Sequence, residues 1–118
     1  MARIVVGRWA DVRRDPAAQP IERGPAVSGV FARFDRPGRR LQLFDARGTV
    51  VRTLGPGSGL VAATSLEGGA PVWLVTGTDQ VGVASAAASM QEARLRNRFA
   101  VAVTRGEGVA LPVEQPTS

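Results

Sequence analysis

The 118 residues include no cysteine, no histidine, no lysine and no tyrosine. Without cysteine there is no disulfide framework, no thiolate nucleophile and no cysteine-based zinc or iron–sulfur site, and the redox compartment stays open. Without histidine the usual general base near neutral pH and the commonest metal ligand are gone, so an enzyme built here would run on carboxylates, hydroxyls, arginines or backbone amides. Two tryptophans and four phenylalanines are the whole aromatic stock, which leaves little for base stacking. No apolar run approaches the ~20 residues that cross a bilayer, and residues 1–20 lack the apolar core of a signal peptide. The strand-like opening Arg3-Ile4-Val5-Val6 and the Pro/Gly/Ser-rich exit favour a domain excised from a longer protein over a free-standing cytoplasmic one.

Arginine is what the chain has instead. All 15 basic residues are arginine, against 10 acidic ones, for a formal charge of +5. Alanine, valine, arginine, glycine and proline together supply 71 of the 118 residues. That bias is what a very GC-rich genome produces, so part of the arginine excess reads as mutational pressure. Nine arginines fall within residues 1–40. A positive field attracts anions, but a basic face is ordinarily a solvated one, so nucleic acid is not the expected partner. At this length the chain reads as one domain, able to bury ~65% of its unfolded surface without staples.

The most informative stretch is residues 71–103, PVWLVTGTDQVGVASAAASMQEARLRNRFAVAV. A four-residue apolar run at 72–75, a glycine turn, a capped helix from Thr78 or Asp79 to about Asn97 and a returning strand at 99–103 make one βαβ unit. A crossover helix implies a sheet for it to cover. Upstream, residues 4–6 are a β-branched run closed by Gly7, followed by a brief helix over 9–14 and a second short turn over 16–23. Residues 30–34, 41–44 and 49–54 are strand-like, joined by Asp35-Arg36-Pro37-Gly38 and Asp45-Ala46-Arg47-Gly48, and predict an antiparallel meander. Gly55-Pro56-Gly57-Ser58-Gly59 breaks that pattern. Residues 60–66 read as a strand or a short helix, with strand preferred, and residues 105–118 as a flexible tail.

The predicted fold is therefore a single α/β domain, on the border with α+β, spanning residues 1–104. It has a mixed sheet, the C-terminal βαβ unit and the meander in the middle. The strands at 4–6, 72–75 and 99–103 are expected at its centre, with the meander extending the sheet. The helix carries two apolar stripes. Val81, Ala84, Ala88 and Leu95 are expected to face the sheet, leaving Val83, Ala87 and Met90 for the short N-terminal helix.

Two segments follow an apolar strand and open a helix, Gly7-Arg8-Trp9 and Thr76-Gly77-Thr78-Asp79. In open α/β sheets ligands collect at the carboxyl ends of strands, where helix N-termini supply amides and positive potential. Arg8, Trp9, Thr76, Gly77, Thr78 and Asp79 are thus the candidate ligand-binding residues. Arg8 would pair an anion and Trp9 would wall the crevice, unless Trp9 is a core anchor and Arg8 simply solvated. Gly77 and Gly82 match neither the dinucleotide fingerprint nor the phosphate loop, so turn and cap compete with any ligand role. Arg36, Arg39 and Arg40 at one hairpin tip are the candidate anion-binding residues; protecting the sheet edge from pairing is the alternative use of those charges. Gly55–Gly59 is a candidate amide nest. Asp11, Asp15, Asp35, Asp45, Glu67, Asp79 and Glu92 are too dispersed to name an acid–base pair. No catalytic residue, metal ligand or cofactor is implied.

Three segments, VVGRWADVRRDPAAQPIERGPAVSGVFARF, LFDARGTVVRTLGPGSGLVAAT and VWLVTGTDQVGVASAAASM, together resemble the C-terminal region of exported or membrane-associated actinobacterial proteins. In those proteins the region follows a domain similar to the C-terminal part of transcobalamin. The resemblance covers most of residues 3–103, rests on general similarity and carries over no functional residue. It implies an accessory domain of an extracytoplasmic uptake or surface protein, whose partner is another domain of the parent chain, a small molecule or an anion. The expectation is a non-catalytic binding module. The rivals are a small basic domain for anions or nucleic acid and a hydrolase using Asp79 with Thr76 or Thr78.

Overall fold

The computed structural model describes residues 3–24, 28–65, 71–95, 100–104, 107–111 and 113. Strand β1 (Arg3–Arg8) leads into two four-residue helices, α1 (Trp9–Val12) and α2 (Gln19–Glu22). The meander follows as β2 (Ala32–Phe34), β3 (Leu41–Phe44) and β4 (Val50–Leu54). Then come β5 (Ser58–Ser65), β6 (Pro71–Gly77), the long helix α3 (Gln80–Leu95), β7 (Ala100–Thr104) and β8 (Glu107–Ala110). The mixed sheet, the βαβ unit and the antiparallel meander are all present in one globule.

The main sheet has the order β1-β6-β5-β7-β8. β1 runs parallel to β6, and every other neighbouring pair is antiparallel. β6 and β7 are parallel members of one sheet, as the βαβ unit requires, but β5 lies between them. The segment that reads ambiguously in sequence is thus the central strand. It has the longest strand run in the fold and neighbours on both edges. β1, expected at the centre, is an edge strand, with Ile4 and Val6 exposed on the face that carries α3. The meander does not extend this sheet; it forms its own, in the order β2-β3-β4.

Alternation along the inner strands explains the layering. Leu60 and Ala62 on β5, Leu74 on β6, and Ala100 and Ala102 on β7 face one way. Val61, Trp73, Val75, Val101 and Val103 face the other, where Ala86 and Met90 of α3 cover them. Both faces are buried, which is why these strands read as unbroken apolar runs. The first face receives the meander and the short helices through Trp9, Ile21, Phe34, Leu41 and Leu43. Trp9 is its anchor: it is 1% exposed and stacks on Phe34 with ring centroids 4.7 Å apart and planes 12° from parallel. The hydroxyl of Thr64 on β5 donates to the Ala17 carbonyl at 3.1 Å and pins the two layers together.

The two hairpin turns are built as their residues predict. Gly38 and Gly48 have φ of 75° and 81°, which only glycine adopts without strain. Asp35 Oδ1 accepts the amides of Arg39 and Arg40, and Asp45 Oδ1 those of Arg47 and Thr49. Gly38 also sits over the Trp9 ring, so the β2–β3 tip is packed onto α1.

Two further expectations need correction. On α3, Val81 is 66% exposed and Ala84 and Ala88 are exposed, whereas Gly82, Val83 and Ala86 are buried against the sheet. Of the stripe assigned to the N-terminal helix, Val83 and Met90 pack on the sheet side while Ala87 is exposed. Gly82 decides this, because it must sit against β5 where no side chain fits. Secondly, residues 107–110, read as part of a flexible tail, form β8 paired with β7. The chain continues past it with Leu111 donating its amide to Ala100 and Val113 donating to Phe44. Leu66 and residues 96–99, the expected ends of a strand, the helix and the returning strand, lie outside the described residues.

Candidate functional site

At the carboxyl end of β6 the chain turns into α3 beside the β4–β5 turn, and three glycines meet there. A Cβ at Gly82 would fall on the Ser58 carbonyl, and one at Gly59 on the Gly82 carbonyl. One at Gly77 would lie 2.6 Å from the Gly82 carbonyl carbon and 2.8 Å from the Ser58 carbonyl oxygen. Glycine in a helix interior costs about 1 kcal/mol relative to alanine. Here it lets the helix backbone rest directly on the sheet backbone.

The polar groups of this corner satisfy one another. Asp79 is the N-cap of α3: its Oδ1 accepts from the Gly82 amide at 2.9 Å. Its Oδ2 accepts from the Gly57 amide, 22 residues upstream, also at 2.9 Å. The Thr78 hydroxyl donates to the Ser58 carbonyl and accepts from the Ser58 amide, both at 3.3 Å. Ser58, itself fully buried, donates its hydroxyl to the Gly55 carbonyl at 2.6 Å. In the candidate nest at 55–59 the Gly57 amide donates to the protein's own Asp79 carboxylate and the Ser58 amide to Thr78, so these two amides do not converge on one anion.

Parallel pairing brings the other candidate segment to the same end of the sheet, with Arg8 opposite Gly77 and Gly7 opposite Thr76. There the two diverge. Trp9 turns into the core, so it presents no wall to a crevice. Arg8 pairs with Asp11 at 3.0 Å, one helical turn on, with both side chains about half exposed. A Cβ at Gly7 would meet the Val12 side chain at 2.8 Å, so the glycine is there to let α1 fold back on β1. Thr76 is completely buried, and among the described residues its hydroxyl has no hydrogen-bond partner. It makes no bond to Asp79, so no nucleophile–base pair forms between them.

The arginines form the second locus. Arg36, Arg39 and Arg40 are exposed at the β2–β3 tip, and among the described residues their guanidinium groups make no hydrogen bond or ion pair. Arg13, at the end of α1, links this tip to the short helices. It donates to the Arg36 carbonyl at 3.1 Å and pairs with Glu22 of α2 at 2.7 Å. Between α1 and α2 lies an open cleft of about 470 Å³ lined by Arg13, Arg14, Gln19, Glu22 and Arg23. Sequence reasoning does not single out Arg13, Arg14 or Arg23. The sequence signal is the dense N-terminal arginine count, but the spacing from 14 to 23 means nothing until α1 and α2 fold into a corner.

Among the described residues no three His, Cys, Asp or Glu side chains gather to hold a metal ion, and no helix is long and apolar enough to cross a membrane. Comparison with known proteins gives no match: no family model, no curated protein and no solved structure is similar to this chain.

Proposed function

We propose that the chain is a non-catalytic binding or accessory module of a larger extracytoplasmic protein. The observation that supports it most is the closed corner at the end of β6. A general base needs a carboxylate oxygen turned toward a substrate. Both Asp79 oxygens instead accept backbone amides, one from its own helix and one from the β4–β5 turn. The hydroxyls that would serve as its nucleophile are spent elsewhere: Thr78 on Ser58, Thr76 inside the core. The chain has no histidine, cysteine or lysine from which a further nucleophile–base pair could be built. The extracytoplasmic setting and the neighbouring domain come from the resemblance to transcobalamin-associated actinobacterial proteins.

The surface supports binding over catalysis. Trp9, Trp73, Phe34 and Phe44 are buried and Phe31 is only partly exposed, so the described residues offer no array of exposed aromatics on which successive bases could stack. The exposed cations are offered instead. The test is a thermal-shift screen of the full chain against cobalamins, nucleotides, sugars and polyanions. A specific ligand raises the melting temperature with the logarithm of its concentration. Each stabilising ligand is then incubated with protein and recovered for mass spectrometry. Recovery unchanged is the expected result. Conversion that is lost in Asp79→Asn would sink the non-catalytic reading.

A further inference from the structure

We infer that the cleft between α1 and α2 is a binding site for a small phosphate monoester, with Arg14 and Arg23 gripping the phosphate. The inference names a ligand class for the binding module proposed above and rests on that reading. Four observations carry it. The cleft is open to solvent and, at about 470 Å³, has a volume in the range of small-molecule sites. Its charge is specific: Arg13, Arg14 and Arg23 less Glu22 leave two net positive charges, which matches a phosphate monoester at about −1.5 to −2 near neutral pH.

One of its walls is already fixed. Arg13 is held by Glu22 at 2.7 Å and by the Arg36 carbonyl at 3.1 Å, so its position costs nothing further on binding. The guanidinium groups of Arg14 and Arg23, by contrast, make no hydrogen bond or ion pair among the described residues, and both residues are exposed. Guanidinium forks suit phosphate oxygens in bidentate geometry, and every cation available here is an arginine. Gln19 and the second oxygen of Glu22 are then left to meet hydroxyl donors of the ligand. A bare polyanion would find Glu22 a repulsive neighbour, which favours a phosphorylated polyol over nucleic acid or an acidic peptide.

The experiment is calorimetric titration of the full chain with inorganic phosphate, glucose, a glucose phosphate ester, a hexaglutamate peptide and a short duplex DNA. The ester is expected to bind with a Kd below ~1 mM, about −4 kcal/mol. Inorganic phosphate should compete with it and glucose alone should not bind. Arg14→Ala and Arg23→Ala should each weaken the ester on the order of tenfold, as loss of a charged hydrogen bond does. Arg23→Lys should recover only part of that, and Arg39→Ala, outside the cleft, should change it less than about twofold. Circular dichroism verifies that each variant is folded, and the exposed positions make that the expected outcome.

Ester binding weaker than ~1 mM overturns the site. So does an equal loss for Arg14, Arg23 and Arg39 variants, which would mean generic charge, or tighter binding of the DNA or the peptide than of the ester. None of these touches the non-catalytic reading, which fails separately, on conversion of a bound ligand.

Discussion

Two corners of this molecule use similar ingredients to opposite ends. At the end of β6, a glycine turn, a helix N-terminus, two hydroxyl residues and an aspartate assemble what resembles an anion site. Its aspartate and its Thr78 hydroxyl are then consumed internally, Asp79 bridging Gly57 and Gly82, Thr78 bridging both backbone groups of Ser58. At the α1–α2 corner nothing resembles a motif, yet Arg14, Arg23, Arg36, Arg39 and Arg40 reach the surface unpaired among the described residues. The difference is packing. α3 packs across four strands of the main sheet, β1, β5, β6 and β7, and glycine contacts bring its backbone onto β5, so amides and carboxylate are forced within reach of each other. α1 and α2 are single turns tied down through Trp9 and Ile21, and their polar side chains point outward.

The contrast can be broken from either side. The largest effect is expected at Trp9, the larger of the two residues that anchor the arginine corner. Trp9→Ala should cost about 3–5 kcal/mol, since it removes both the buried surface and the stack on Phe34. Urea unfolding measures it, and a cost under about 1 kcal/mol would mean that α1 is not anchored through this ring.

Gly82→Ala comes next and tests the glycine contact directly. In an open helix the change should stabilise by about 1 kcal/mol. Here the new Cβ meets the Ser58 carbonyl, which is backbone and cannot swing away, so a loss of about 3 kcal/mol is expected. The sign alone decides: a rise in the urea midpoint would show that α3 does not rest on β5 as described.

Asp79→Ala should cost about 2 kcal/mol, more than an ordinary cap, because the Gly57 amide loses its acceptor as well. Asp79→Asn retains an acceptor oxygen for only one of the two amides and should fall between. Hydrogen exchange at the Gly57 and Gly82 amides should rise together in Asp79→Ala. A rise at Gly82 alone would separate the turn from the cap.

Thr76→Val should gain about 1 kcal/mol, since it replaces a buried, unpartnered hydroxyl by a methyl of the same shape on a strand. Thermal unfolding checks the sign. A loss would mean that the hydroxyl is satisfied in solution. Smallest of all, Arg14→Ala and Arg23→Ala should move stability by less than about 0.5 kcal/mol, as exposed substitutions do. A larger loss would turn the arginine corner into a structural element like its counterpart.

Local chemistry was legible in the residue order by itself. The aspartate–glycine turns at 35–38 and 45–48, the cap at Asp79 and the apolar runs of β6 and β7 depend on neighbours a few positions away, and all appear where they were read. The absence of histidine, cysteine and lysine is likewise a property of the sequence alone. What required the tertiary structure are the choices between equivalent local options. Which stripe of α3 faces the sheet depends on where a Cβ fails to fit, and that is set by Ser58, 24 positions upstream of Gly82. That 58–65 becomes the central strand, and β1 an edge, depends on which hydrogen-bonding edges remain open once β6 and β7 are placed. Whether an aspartate or an arginine serves the fold or the surface is decided by what is brought against it from far along the chain. Asp79 meets a turn amide 22 residues away and is enclosed, while Arg14 and Arg23 meet only each other's corner and stay available.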